Sequence, residues 1–425
     1  LYPPAPARHL GRRPGADFIV VHAPLLPRFA VPMSPGVIPR RTLLAAGAAT
    51  LTMPAILRAQ TGKLKIGMVT TLSGPGYYLG ADIRDGFQLA MADGNLGGVP
   101  VELVVEDDGL KPAQARQIIS RFINTDGIRL YTGIVFSNVL SAVVGDVLDA
   151  GGIYISPNAA PSNLAGQDCN PNYYVVSWQN DSLYESAGQN ANLLGYKNMY
   201  VLAANYQAGR DAITAFKRYF KGEIVGESYT SLTETDYAAE MAQIRAATPD
   251  AVFQFHPGGL GIAFIRQYQQ AGLLGKIPMV LAAPSMDAVI LKAVGEAAIG
   301  INVSSHWNSD FDNVANRRFM TDYLAKYHRM PTYYASQGYD TGLAIGAVLY
   351  QTKGRVEDTE AFRSAMLPAQ FESVRGKLRF GNNQEPIQDW WGLRVEKDKT
   401  GALTLVTKRQ VFKNHGDAYA KECKL

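Results

Sequence analysis

Residues 63–92, KLKIGMVTTLSGPGYYLGADIRDGFQLAMA, decide the fold class. Residues 64–71 are mostly apolar and strand-like. They run into a tight turn of small residues, Ser73, Gly74, Pro75 and Gly76. Tyr77, Tyr78 and Gly80 follow as a loop. Residues 81–95 then switch to helical spacing, with Ile83, Phe87, Ala90 and Met91 recurring on one side. A strand, a small-residue turn and a helix, in that order, open an α/β domain whose first loop faces a ligand.

Downstream the same alternation continues. Strands are expected at 101–107, 130–132 and 153–156, with helices at 113–124 and 137–148. A second series has strands at 199–203, 224–231 and 251–255 and helices at 211–220, 237–246 and 262–271. Strands alternating with helices of 10–15 residues indicate βαβ units and parallel sheets. Mostly apolar strands such as residues 101–105 (VELVV) suit sheets covered on both faces. The two series are separated by residues 173–182 (YYVVSWQNDS), which read as a crossing between lobes. Two further crossings are expected near 303–309 and 380–388. The reading is therefore an α/β protein with one lobe from 63–180 plus 308–380 and another from 181–307 plus 381–425. Ligands of such sheets bind beyond the carboxyl ends of the strands. That selects the loops at 72–80, 133–138, 157–162, 204–209, 256–259 and 282–286.

Upstream, residues 39–60 (PRRTLLAAGAATLTMPAILRAQ) have the three parts of a secretory signal: Arg40 and Arg41, an apolar run from Leu43 to about Ala55, and small residues near Ala59. The Arg pair before a weakly apolar, Ala-rich run resembles a twin-arginine signal. Residues 33–59 are thus expected to be a signal peptide, starting at Met33, with cleavage near Ala59 and a periplasmic product. Residues 1–32, rich in Pro and Arg, read as an extension outside the fold, either upstream of the true start or a disordered tail. The apolar run falls short of the ~20 residues that span a bilayer, so the product is not expected to be membrane-inserted. The whole chain carries a net +4, but residues 1–59 hold seven Arg and one Asp. The remainder is near −2, so the basic balance belongs to the leader and gives no case for a nucleic-acid partner. Cys169 and Cys423 are the two cysteines; in an oxidising compartment a disulfide between them is one outcome and two free thiols the other.

Catalytic sets are not found. Beyond residue 59 the histidines are 256, 306, 328 and 415. None lies in an HExxH spacing and there is no CxxC, so no metal is expected. There is no GxGxxG after the first strand, no P-loop and no GxSxG elbow, so no cofactor and no catalytic residue are assigned. Glu106, Asp107 and Asp108 cluster at a strand end, where three acids more often make a solvated surface than an acid/base site. A binding protein without chemistry is the stronger reading.

A family resemblance appears in the same loops. SGPGYYLGADIRDGFQLA, VELVVEDDGLKPAQA, TGIVFSNVLSAV and GGIYISPNAAPSNL, in that order, and later NYQAGRDA, ASQGYDTGLAIGA and GKLRFGNNQ, resemble the branched-chain amino-acid-binding type of periplasmic receptor. The likeness runs from about Lys63 to the end. It implies two Rossmann-like lobes joined by three hinge strands, closure on a small ligand, and delivery to an ABC permease. The family sets a ligand carboxylate against a Ser hydroxyl and backbone N–H groups, and Ser137 matches that Ser, next to Asn138. A helix start there favours an anion, although a plain cap would look the same. Asn158, Ala159 and Ala160 match the loop of further contacts, with Ala160 where amino-acid receptors often have Thr. Tyr77, Tyr78 and Leu79 match the loop covering the ligand side chain.

The matching second-lobe loop, Ala282 to Met286 with Ser285, has no acid before Asp287, whereas amino-acid receptors use one to hold the ligand ammonium. An ammonium buried without a counter-charge is strongly disfavoured. The expected ligand therefore lacks an α-ammonium, with Asp287 and Asp211 as the partners if it has one. Tyr77, Tyr78, Phe136, Trp178, Tyr206, His256, Trp307 and Tyr339 supply an aromatic lining. Each alone could be core packing; together they point to an aromatic acid. The expectation is an extracytoplasmic receptor for a small carboxylate. Its rivals are a receptor for branched-chain amino acids, amides or urea-like compounds, and a sensor partnering a signalling protein.

Overall fold

A computed structural model describes residues 62–425. The expected signal peptide and the extension before it lie outside the described residues. Two sheets organise the chain. The first contains β1 (Leu64–Thr70), β2 (Asn95–Leu96), β3 (Val99–Asp107), β4 (Leu130–Thr132), β5 (Ile153–Ser156) and β6 (Tyr173–Val175), in the order β2-β3-β1-β4-β5-β6. All its pairings are parallel except the β2–β3 hairpin. The second contains β7 (Asn198–Ala204), β8 (Glu223–Thr230), β9 (Ala251–Phe255), β10 (Met279–Ala282) and β11 (Asn302–Ser305). These are parallel in the order β8-β7-β9-β10-β11. Antiparallel β12 (Arg379–Phe380), β13 (Pro386–Lys397) and β14 (Leu403–His415) extend it beyond β11. Every residue of β4, β5, β9 and β10 is buried, as parallel strands covered by helices on both faces require.

The helices are α1 (Tyr77–Ala90), α2 (Pro112–Asn124), α3 (Ser137–Asp149), α4 (Ser162–Ala165), α5 (Asn180–Leu194) and α6 (Gln207–Tyr219). Then follow α7 (Ala238–Ala247), α8 (Gly259–Gln270), α9 (Ala288–Val294), α10 (Val314–Tyr327), α11 (Tyr333–Thr352) and α12 (Thr359–Met366). The chain leaves the first sheet at 176–179, returns at 306–313 to place α10–α12 on that lobe, and crosses again at 376–385 into β13. Arg375 ties the first and third crossings together, donating to the carbonyls of Val176 and Ser177. Cys169 and Cys423 form a disulfide, with Cα atoms 5.7 Å apart.

The first helix corrects the expected loop at 77–80. Pro75 sits in a one-turn 3₁₀ segment, Gly74–Gly76, and α1 starts immediately at Tyr77. It ends at Ala90 because Asp93, Gly94, Gly97 and Gly98, all at positive φ, turn the chain into the β2–β3 hairpin. The start of α1 is set by Gly80, where a methyl group would stand 2.1 Å from the Thr71 carbonyl oxygen. The pairing of α1 with α11 rests on the same device. A methyl on Gly86 would stand 1.9 Å from the Ala335 carbonyl oxygen, and one on Gly338 would stand 2.0 Å from that of Ile83. The two backbones therefore touch, which fixes the starts of α1 and α11 against each other. Both starts carry tyrosines that face the second lobe's loops.

Candidate functional site

The carboxyl ends of β4, β5, β7, β9 and β10 meet around a cavity between the lobes. From the first lobe come Val135, Phe136 and Ser137 after β4, and Asn158 after β5. Tyr206 and Ala208 follow β7, Phe255 and Pro257 end β9, and Pro284 follows β10. Trp178 from the first crossing, Asn180 and Tyr184 from the start of α5, and Tyr334 from the start of α11 close the circle. The cavity measures ≈ 20 Å³, about the room one water needs. Hydrogen bonds bridge the lobes here, Tyr78 to Asp287 and Ser162 to Asp211, so a larger ligand is held only with the walls further apart than in this arrangement.

Aromatic rings dominate the wall. Tyr206 stacks on Phe255 with centroids 6.0 Å apart, Phe136 tilts against Tyr206 at 6.2 Å, and Tyr184 meets Phe255 edge-on at 4.9 Å. Burial pushes the phenols of Tyr184, Tyr206 and Tyr334 well above their ordinary range. They are therefore O–H donors at neutral pH. Among the described residues, no Asp, Glu, Lys, Arg or His lines the cavity.

The polar end is built on α3. Phe136 is extended (φ −101°, ψ 131°) and Ser137 is the first helical residue, so the leading N–H groups of the helix have no partner within it. Helix N-termini stabilise anions through these donors and the helix dipole. The hydroxyl of Ser137 is oriented by a relay. Asn180 Nδ2 lies 3.2 Å from Ser137 Oγ and 2.9 Å from Asp211 Oδ2. The carboxylate accepts only, so the Asn180 amide must turn its NH₂ to both partners. Ser137 Oγ then accepts from Asn180, leaving its O–H to donate toward the cavity. Asp211 also accepts from Ser162 Oγ at 2.9 Å and from Gln207 Nε2 at 2.8 Å. Burial raises its pKa while these bonds oppose the shift. Since Ser162 is on the first lobe and Asp211 on the second, this cluster exists only when the lobes are closed. Among the described residues no base stands beside Ser137, whose side-chain partner is Asn180, so the arrangement can bind an anion but offers no activated nucleophile.

The sequence-selected residues divide. Phe136, Ser137, Asn158, Trp178 and Tyr206 line the cavity. Asn138 follows Ser137 in α3 and is half-buried outside the lining. Ala159 and Ala160 are buried behind it, the Ala160 carbonyl accepting from Asn180 N at 3.0 Å. The other selected residues lie outside this lining. Tyr77 is 56% exposed and Leu79 is wholly buried, because α1 begins at Tyr77 and turns successive side chains 100° apart. Tyr78 points across the lobes to Asp287 instead of into the cavity. His256 is fully buried in the second lobe, stacked on Phe264 at 4.9 Å. Its ring nitrogens meet Thr230 Oγ1 at 2.9 Å and Gln254 Oε1 at 2.8 Å, and burial lowers its pKa to about 3. Ser285 is used up by the backbone, accepting from His256 N and donating to the Gln254 carbonyl. Trp307 donates to Asn316 Oδ1 at 2.8 Å, away from the cavity. Tyr339 packs on Phe319 within the first lobe.

Of the acidic cluster, Glu106 pairs with Arg121, Asp107 accepts from Leu72 N and Gly109 N, and Asp108 accepts from Thr71 Oγ1. All three serve the strand end. The residues that sequence reading missed are Val135, Asn180, Tyr184, Ala208, Phe255, Pro257, Pro284 and Tyr334. Most lie within or beside the selected loops. Tyr184 and Tyr334, near helix starts, had no local signal.

A family profile described as periplasmic binding protein matches residues 63–401. A solute-binding protein of an R. palustris ABC transporter, solved in complex with benzoate, superposes with a TM-score of 0.81 at 29% identity, covering 86% of this chain and 100% of that one. An ABC transporter substrate-binding protein from Sphaerobacter thermophilus gives a TM-score of 0.78 at 29% identity, covering 84% and 99%. A "Leu/Ile/Val-binding protein homolog 6" from Brucella melitensis is 25% identical over 370 residues, 83% of this chain and 93% of the relative.

Proposed function

The chain belongs to the periplasmic binding protein family, and on that premise we propose that it closes on a small aromatic carboxylate between its lobes and delivers it to an ABC permease. The fold and family are those of substrate-binding transport receptors. One observation carries the ligand reading: a ring-lined cavity with an anion-favouring helix start and no charged side chain in its lining. A carboxylate there is met by the α3 N–H groups, the Ser137 hydroxyl and buried phenols. An ammonium would find no counter-charge, and burying it unpaired is strongly unfavourable. The benzoate carried by the R. palustris relative supports the same ligand class. Asn158 Oδ1, buried without a partner, is an acceptor that a ring hydroxyl would satisfy. The expected periplasmic location and the leader that would deliver the chain there belong to this proposal. Among the described residues no helix is long and apolar enough to cross a membrane.

A thermal-shift panel of benzoate, 4-hydroxybenzoate, an aliphatic carboxylate, leucine, valine and an amide tests this. A ligand at 100 times its Kd adds about 2.7 kcal/mol of stability. Stabilisation by the benzoates and not by leucine is expected; stabilisation by leucine alone would overturn the aromatic reading. A branched-chain amino acid is the second reading, favoured by Asp211, one hydrogen bond behind the lining through Asn180.

A further inference from the structure

A second cavity lies against the first and is much larger, ≈ 680 Å³, within the range of small-molecule sites. The two share a wall. Tyr334 and Pro284 line the first, while their chain neighbours Tyr333 and Ala283 line the second. The Tyr333 ring stands 5.4 Å from that of Trp178, a wall residue of the first cavity. Both lobes contribute. Met286, Val289, Leu393 and Leu405 come from the second lobe, and Met330 and Pro331 from the segment before α11 on the first.

That segment is anchored from behind. Arg329 pairs with Asp85 at 2.6 Å and also with Asp82, both on α1, so its charge is already neutralised. At the rim stand Lys292 and His328, both exposed. Among the described residues no carboxylate forms an ion pair with Lys292. Asp287 also faces the cavity, but it is occupied by Tyr78 and by the first N–H groups of α9. The walls suit an apolar body, and the rim offers a cation without a fixed partner.

We infer that this cavity is a second ligand site, separate from the ring-lined cavity at Ser137, for an amphiphilic organic monoanion whose apolar body lies against Met286, Val289, Leu393 and Leu405 and whose charged end reaches Lys292. The inference does not depend on which ligand the cleft takes.

Calorimetric titration of the full chain with decanoate tests it, with decanol as the uncharged comparator. Saturable one-to-one binding of decanoate is expected, with decanol weaker. Lys292→Glu, at the exposed rim, should weaken decanoate by about five-fold. Ala288→Trp, which fills the cavity from the first turn of α9, should abolish binding. Ser137→Ala, in the cleft, should leave decanoate affinity unchanged. Absence of saturable binding overturns the inference. So does binding lost in Ser137→Ala but retained in Lys292→Glu, which would place decanoate in the cleft. If Ala288→Trp fails to fold, the Lys292 and Ser137 variants still decide. Leucine or benzoate binding in the cleft is read separately, by Ser137→Ala, so either proposal can fail alone.

Discussion

Tyr78 and Asp287, 209 residues apart, join the lobes through one buried hydrogen bond of 2.8 Å from the phenol to Oδ2. Asp287 spends its other oxygen on α9, accepting from Val289 N at 2.8 Å and Ile290 N at 2.9 Å. It is therefore a helix cap that also receives the opposite lobe. Tyr78 stands in the first turn of α1, where Gly80 lets the helix seat against Thr71. The backbone fit of the first lobe thus aims a hydroxyl at a cap on the second.

Tyr78→Phe removes this bond and leaves a buried acceptor without its donor. Closure should weaken by about 1–2 kcal/mol, and ligand affinity should fall about five- to thirty-fold. Calorimetry on the two proteins measures it. Unchanged affinity would mean that closure does not depend on the contact.

Asp287 makes stability depend on pH. Burial raises its carboxyl from 3.8 to about 7 in the folded chain. The folded state then holds a proton that the unfolded state has released, between about pH 4 and 7, so this group's contribution falls as pH rises through that window. His256 acts oppositely: held neutral by burial, with its pKa lowered to about 3, it contributes stability above the unfolded value of 6.5 that is lost as pH falls below it. The two slopes oppose each other in the wild type, so the variant isolates one. Asp287→Asn keeps a capping oxygen for α9 and turns an NH₂ toward Tyr78, whose hydroxyl oxygen can accept it. Relative to wild type it should gain stability as pH rises from 4 to 7, by about 1 kcal/mol per unit. Denaturant titrations at pH 4.5, 6 and 7.5 would show it; a constant difference would contradict the buried carboxyl's role.

Ser137→Ala should weaken carboxylate binding by about 0.5–3 kcal/mol, the span of a hydrogen bond to neutral and charged partners. Asn180→Ala should have a similar effect while leaving the α3 N–H groups in place, because the relay from Asp211 that turns the Ser137 hydroxyl is lost. Equal affinities for wild type and Ser137→Ala would remove that residue from the site.

Gly86→Ala tests the α1–α11 contact. A methyl 1.9 Å from the Ala335 carbonyl oxygen cannot be accommodated without separating the helices. A loss of about 3 kcal/mol or more is expected in urea unfolding, together with weaker ligand binding, since both helix starts would shift. A neutral substitution would show that the helices can part at little cost.

Much of this molecule is written locally. The apolar runs that became β4, β5 and β9 can be buried on both faces only in a covered parallel sheet, and the helical spacing between them supplies the covers. That places the ligand loops at the strand ends, and Phe136, Ser137, Asn158 and Tyr206 follow from adjacent sequence. What sequence could not decide is which way a side chain turns once the loop is packed. His256, in one of those loops, goes to the core because Thr230 and Gln254 hold both ring nitrogens. Tyr78 leaves the cleft because the helix begins earlier than its pattern suggested. Tyr184 and Tyr334 enter the cleft from helix starts far along the chain. Local periodicity records which residues must be buried. Only the tertiary structure decides against which partners, because those partners lie up to hundreds of residues away and are chosen by packing and hydrogen bonds that no neighbouring residue encodes.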